Sequence, residues 1–154
     1  MAIVILSQTI CPICNTVLND GDDIIGFSAF VPNTKDPLFF FNDSAFHKAC
    51  LARHPLGAKA TSLANKASSR NRTCLVSGTT ITEPEHYFST GLLSSDENSS
   101  LYPFNFITID KRNIKLWNER EKLRQALIEM RSSGNWSEYD GTKYLDNMIN
   151  DLKA

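Results

Sequence analysis

The sequence predicts an α+β fold: two tandem units, each a cysteine turn, a β-hairpin and a helix, with further helices at the C-terminal end. Three observations carry that expectation. Displacing the chain against itself so that residue 11 falls on residue 74, an offset of 63, aligns residues 11–51 with 74–114 without a gap. Six of the 41 pairs are identical: Cys11/Cys74, Thr16/Thr79, Leu38/Leu101, Phe41/Phe104, Asn42/Asn105 and Lys48/Lys111. Both copies also run through the same order of features: cysteine turn, acidic turn, aromatic segment, polar loop, aromatic segment, basic segment. Finally, two C-terminal stretches place apolar residues at helical spacing.

The elements follow in order. Residues 2–7 are apolar and β-branched and predict a strand leading into the turn CPIC. Residues 23–31 and 37–42 predict a hairpin, repeated by 85–93 and 101–109. Asp43 or Ser44 is placed to cap a helix running to Arg53, and residues 57–69 predict a second short helix. Residues 110–131 give the clearest helix, with Asp110 as N-cap. Its apolar stripe is Ile114, Trp117, Leu116, Leu123, Leu127 and Met130, and its polar side carries Glu119, Glu121, Lys122 and Arg124. Leu145, Met148, Ile149 and Leu152 form the core face of a last amphipathic helix. The expected organisation is residues 1–72, then 73–131, then a terminal helix in 132–154.

Composition bounds the function class. The 154 residues are 42% hydrophobic and 21% charged, a globular rather than disordered balance. The apolar run Ala2 to Leu6 lacks the basic flank and the length of a signal peptide, and no stretch is long enough to span a bilayer. A cytoplasmic protein with no membrane partner is expected, in a compartment where disulfides are disfavoured. The four cysteines there read as metal ligands plus a spare thiol. The formal net charge of -1 hides segregation: residues 44–82 carry six bases and no acid, whereas 83–110 carry five acids and no Lys or Arg.

The chemistry-bearing pattern is C-x2-C, then 32 residues, then H-x2-C, comprising Cys11, Cys14, His47 and Cys50. Two cysteines two residues apart reach one ion from a tight turn, and a histidine and cysteine three apart share one side of a helical turn. Thiolate and imidazole donors suit zinc. In the second copy the same positions hold Cys74, Ser77, Asp110 and Asn113, a set from which that softness is nearly gone. One zinc ion is therefore expected, in the first copy. Three thiolates and an imidazole fill a tetrahedral shell and leave no position for a reacting water, so the zinc is expected to be structural and the protein not an enzyme.

These half-sites resemble the treble-clef zinc fingers and, within them, RING and LIM modules. CPIC, the aromatic segments and FHKACL carry the resemblance over about 40 residues, or about 100 with the second copy. It implies a treble-clef-like unit with a knuckle supplying Cys11 and Cys14 and a helix start supplying His47 and Cys50. RING and LIM modules bind two ions through eight ligands; this chain has a single set of four, so ubiquitin-ligase activity is not implied.

The remaining candidates have plainer readings. Cys74 reads as a buried small apolar residue, His54 and His86 as surface or capping residues, and Trp117 and Trp136 as packing residues. The expected function is a zinc-stabilised, non-enzymatic protein-binding module, in the role of an adaptor, an inhibitor or a toxin-neutralising immunity protein. Its expected partner is another protein, met by the acidic turns Asp20, Asp22, Asp23, Asp96 and Glu97. The alternative is nucleic-acid binding by the basic segment Lys48, Arg53, Lys59, Lys66, Arg70 and Arg72, for which a near-neutral chain is an unusual vehicle.

Overall fold

The computed structural model describes residues 3–69, 71–139 and 141–153. The protein is α+β. Strands β1 (Ile24–Gly26) and β2 (Ala45–His47) form one antiparallel pair, and β3 (Tyr87–Ser89) and β4 (Thr108–Asp110) form another. Four α-helices accompany them among the described residues: α1 (Lys48–Arg53), α2 (Gly57–Ser68), α3 (Arg120–Ser132) and α4 (Tyr144–Asp151). Contacts gather the chain into two compact units. The first holds residues up to Val31 together with Pro37–Ser68, and the second holds Pro32–Asp36 with the residues from Ser69 onward.

In the first unit a β-bridge between Ile10 and Val17 closes the CPIC turn, with Cys11 N–H donating to the Thr16 carbonyl at 2.9 Å. Ile24, Ile25 and Gly26 pair with His47, Phe46 and Ala45. The predicted partner, 37–42, is instead a 3-10 helix over Pro37–Phe41. Leu38 and Phe41 are fully buried, and Phe41 packs with Phe27 and Phe46, with Phe30 against Phe27, while Phe40 stays exposed. Strand β2 occupies the residues expected to open the helix, so α1 starts at Lys48 with His47 at its N-cap position. Gly57 lets α2 start hard against α1, because a β-carbon there would lie 1.9 Å from the Leu51 carbonyl oxygen. Residues 3–7 form no strand; Ile5 turns back through its carbonyl, which accepts from the N–H groups of Gln8 and Thr9.

The second unit repeats this frame at the same offset. Tyr87, Phe88 and Ser89 pair with Asp110, Ile109 and Thr108, and a bridge joins Thr73 to Thr80. Cys74 N–H donates to the Thr79 carbonyl at 2.8 Å, and a 3-10 turn over Tyr102–Phe104 replaces the expected strand. Asn42 and Asn105 do the same job in the two units. The Asn42 side-chain oxygen accepts from Phe30 and Val31 N–H and its amide donates to the Val31 carbonyl; Asn105 does so with Leu93 and Ser94. Backbone positions with positive φ also recur, as Asn15 (58°) with Gly78 (71°) and Asp43 (47°) with Phe106 (60°).

After β4 the units part. The predicted helix over 110–131 is broken: Lys111–Leu116 is 3-10, and α3 begins only at Arg120. Asp110 does cap the first piece, accepting from Arg112 N–H at 2.9 Å. Ile114 and Trp117 are buried as the stripe predicts, but Leu116 is 72% exposed because the tighter 3-10 turn rotates it out of register. Leu123 and Leu127 of α3 and Leu145, Met148 and Ile149 of α4, with Leu152 beyond it, join Ile81, Phe88, Leu101, Phe104 and Ile109 in one large core. Glu138 accepts from Tyr144 and Leu145 N–H at 2.8 and 2.7 Å and so covers the N-terminal end of α4. Trp136 stacks on Tyr144 with ring centroids 6.3 Å apart. Segment 32–36 belongs to this unit through its hydrogen bonds: Asn33 to Asn135 and Ser137, and Asp36 to the backbone and hydroxyl of Ser95.

Candidate metal centre

The bridge between Ile10 and Val17 presents Cys11 and Cys14 at one end of the first unit. The register of β2 against β1 delivers His47 to the same place, and the first turn of α1 brings Cys50 round beside it. The four donor atoms lie within 4.8 Å of one another. His47 Nδ1 is 3.4 Å from Cys14 Sγ and 3.9 Å from Cys50 Sγ. Bond lengths of about 2.0–2.3 Å give a zinc tetrahedron with edges of about 3.5–3.8 Å. The group therefore has the size and the donor chemistry of a site for one metal ion. Cys11 is buried, His47 and Cys50 are half-buried, and Cys14 is nearest the solvent.

Neighbouring groups favour positive charge here. Burial pushes the Cys11 thiol up, but N–H groups of Cys14, His47 and Ile13 outweigh it and hold the thiol below its ordinary range. The hydroxyl of Thr16, 3.0 Å away, and its backbone bring Cys14 down to about 6. Cys50 is pushed up, first by burial and then by the neighbouring sulfurs of Cys14 and Cys11. Three thiolates so close repel one another, and a dication removes that repulsion. The same sulfurs, Cys11 foremost, raise the His47 imidazole, with a further contribution from Asp22.

Asp22 is the residue whose role the sequence does not announce. Its carboxylate lies 3.3 Å from His47 Nε2 and accepts Asn19 N–H at 2.6 Å. That contact leaves Nδ1 facing the sulfurs and orients the ring, the arrangement of carboxylate–histidine–metal sites. No spacing rule links an acid in the turn before β1 to a histidine at the end of β2; only the pairing of those strands does.

The second unit shows what replaces the metal group. Cys74 keeps its place, buried, and accepts Asp110 N–H at 3.3 Å, with the Asn113 amide 3.8 Å away. Burial pushes its thiol up, yet the Ser77 hydroxyl and the backbone N–H groups of Asp110, Ser77 and Val76 bring it down to about 7. Asp110 stands where His47 stands and binds Arg112 through two contacts, Nη2 to Oδ2 at 2.6 Å and Nε to Oδ1 at 3.0 Å. The Arg112 guanidinium holds the Asp110 carboxyl at about 2. The residue at the position of His47 is thus an acid neutralised by a neighbouring arginine, which the repeat alignment passes over because its counterpart is Ala49.

The other predicted residues are scattered. Asp20, Asp22 and Asp23 are exposed on the first unit, with Asp23 paired to Lys48 at 2.5 Å. Asp96 and Glu97 are exposed in a turn of the second unit, where Asp96 accepts Asn98 N–H at 2.9 Å. Lys48, Arg53, Lys59 and Lys66 lie on α1 and α2 of the first unit. Lys48 borders a groove of about 580 Å³ whose lining includes Ile25, Leu51, Gly57 and Thr61. Arg72 belongs to the second unit, where it lines a cavity of about 260 Å³ with Ile81, Thr82, Glu83, Pro84 and Tyr87. Arg70 lies outside the described residues. His54 caps the end of α1 and stacks on Phe40, and no helix among the described residues is long and apolar enough to cross a membrane. No protein-family model matches this chain, and no match to it was found among curated proteins or solved structures.

Proposed function

We propose that this chain is a non-enzymatic protein-binding module whose first unit is a treble-clef-like finger held by one structural zinc ion. The observation that carries the reading is the closed donor set. Cys11, Cys14, His47 and Cys50 offer four protein donors within 4.8 Å of one another, so an ion bound by all four would be saturated and serve as a staple. The order of knuckle, hairpin and helix supports the treble-clef comparison, and the second unit keeps that frame with Arg112 and Asp110 in place of the metal group. In this reading the paired frame presents surfaces to a partner protein, with Asp20, Asp22 and Asp23 on one unit and Asp96 and Glu97 on the other favouring a basic one.

Two measurements test it. Metal analysis of the purified chain is expected to give one zinc per molecule, lost on chelation together with the fold of the first unit. Immobilised zinc-loaded chain is expected to retain a defined protein partner, released by chelation. Retention of no protein, with micromolar binding of mixed DNA and RNA oligonucleotides abolished by K59E/K66E/R72E, would replace this reading with nucleic-acid binding.

A further inference from the structure

The first unit exposes a run of aliphatic side chains that its fold does not require. Ile3, Ile5, Leu6 and Ile10 are 84%, 51%, 44% and 53% exposed, and Val4 and Val17 are each 36% exposed. These residues are neighbours. The Ile10–Val17 bridge sets two of them side by side, Ser7 N–H donates to the Leu18 carbonyl, and Ile5 N–H donates to the Thr9 hydroxyl. Scattered single aliphatics on a surface need no explanation, but a contiguous group marks a contact site.

The second unit shows that packing is not the reason. Its matching bridge is Thr73 with Thr80, with Cys74 N–H donating to the Thr79 carbonyl and Ile81 N–H to the Arg72 carbonyl as Cys11 and Leu18 do to Thr16 and Thr9. The knuckle frame thus forms with polar residues at both bridge positions. In the second unit's knuckle Leu75 alone, among the described residues, is a large exposed aliphatic.

Charge selects the occupant. Leu18, hydrogen-bonded to Ser7 and Thr9, leads directly into the turn of Asp20, Asp22 and Asp23, where Lys48 pairs with Asp23 and His47 with Asp22 and the three acids still outnumber those partners. A second copy docked through the same face would set these acids against themselves, and an anionic lipid surface would be repelled. We infer that Ile5, Ile10 and Val17, with their aliphatic neighbours, form the docking surface of the first unit for an aliphatic segment of another protein flanked by Lys or Arg. This rests on the protein-binding reading and names its surface and the partner's chemistry.

The test uses the full zinc-loaded chain and a fluorescent amphipathic leucine–lysine peptide, read by anisotropy. The wild type is expected to bind it saturably, and I10T/V17T, which leaves every charge in place, about tenfold more weakly. The double variant copies the second unit's own bridge, so its zinc content and melting temperature should be unchanged. Should it misfold, Ile5→Ser, a change at an exposed side chain, gives the same readout. D20N is expected to weaken binding and flatten its salt dependence. Equal affinity of wild type and I10T/V17T, binding of a leucine–glutamate peptide as tight as that of leucine–lysine, or no binding of either would overturn the surface. So would self-association, or uptake by phosphatidylcholine vesicles, that the double variant abolishes. The protein-binding reading itself falls separately, when the immobilised wild-type chain retains no partner.

Discussion

The two units share a backbone frame and differ in what holds it. In the first, the core is a modest aromatic cluster around Phe27, Phe41 and Phe46, and four ligand side chains converge on one point at its edge. In the second, Cys74 lies under Asp110 N–H and the Asp110 carboxylate is paired with Arg112, while α3 and α4 extend the core with Leu123, Leu127, Leu145, Met148 and Ile149. Small domains that cannot bury enough apolar surface need a metal or a disulfide, and larger ones do not. The comparison teaches that the same knuckle-and-hairpin frame forms around a Cys3His group able to hold a metal ion and, without that group, against added helices.

That contrast breaks most sharply at Cys50. Cys50→Ser is expected to abolish zinc binding and remove on the order of 10 kcal/mol from the folding of the first unit, leaving the second unit's circular dichroism and amide protection in place. Loss of both units together would refute the division of labour. Acid should reach a similar state in two stages. Protons compete with the metal for thiolate and imidazole, so mild acid releases zinc and opens the first unit. The Asp110 carboxyl, depressed to about 2 by Arg112, responds in the same direction but at much lower pH. Its contribution is complete above the ordinary aspartate range and is lost only as pH falls through about 2. An acid titration followed by NMR should therefore show zinc release well before the Asp110–Arg112 contact breaks.

The shared frame makes a prediction of equality. Phe41 and Phe104 occupy equivalent, fully buried positions. Phe41→Ala and Phe104→Ala should each cost their own unit about 3–5 kcal/mol by chemical denaturation of the zinc-loaded chain. A much smaller cost at Phe41 would show that the metal, rather than the aromatic cluster, dominates the first unit.

What could be read in the sequence follows from the kind of signal involved. The ligand set was legible because thiolate and imidazole at fixed spacing have few other uses, and the repeat because Cys11/Cys74 and Asn42/Asn105 sit at one offset. The hairpins were misplaced because PLFFF and its counterpart are short apolar runs that periodicity cannot assign. Pro37 starts a 3-10 turn, and the strands pair 24–26 with 45–47 instead. The break near Trp117 was hidden for a related reason, since Ile114 and Trp117 three apart suit a 3-10 turn as well as an α-helix. Asp22 was legible only as an exposed acid, because its contact with His47 exists only across the strand pairing.

Smaller effects sharpen the comparison further. Asp22→Asn should weaken zinc affinity about 10–100-fold in competition with a chromogenic chelator, by freeing the His47 ring while leaving all four ligands. Unchanged affinity would deny Asp22 its orienting role. Cys74→Ala should cost the second unit only about 1 kcal/mol, the scale of a lost weak hydrogen bond, whereas the equivalent Cys11→Ala costs the first unit its metal.

In the proposed reading one frame is held by metal in the first unit and by packing and the Asp110–Arg112 pair in the second. Hydrogen exchange of the full chain before and after chelation tests it most directly. The account predicts that the amides of Cys11, Leu18, Phe27 and Lys48 lose protection on zinc removal while those of Cys74, Ile81, Thr90 and Leu123 keep theirs. Protection unchanged at Leu18 and Phe27 after one zinc has been removed, or lost equally at Ile81 and Leu123, would contradict it.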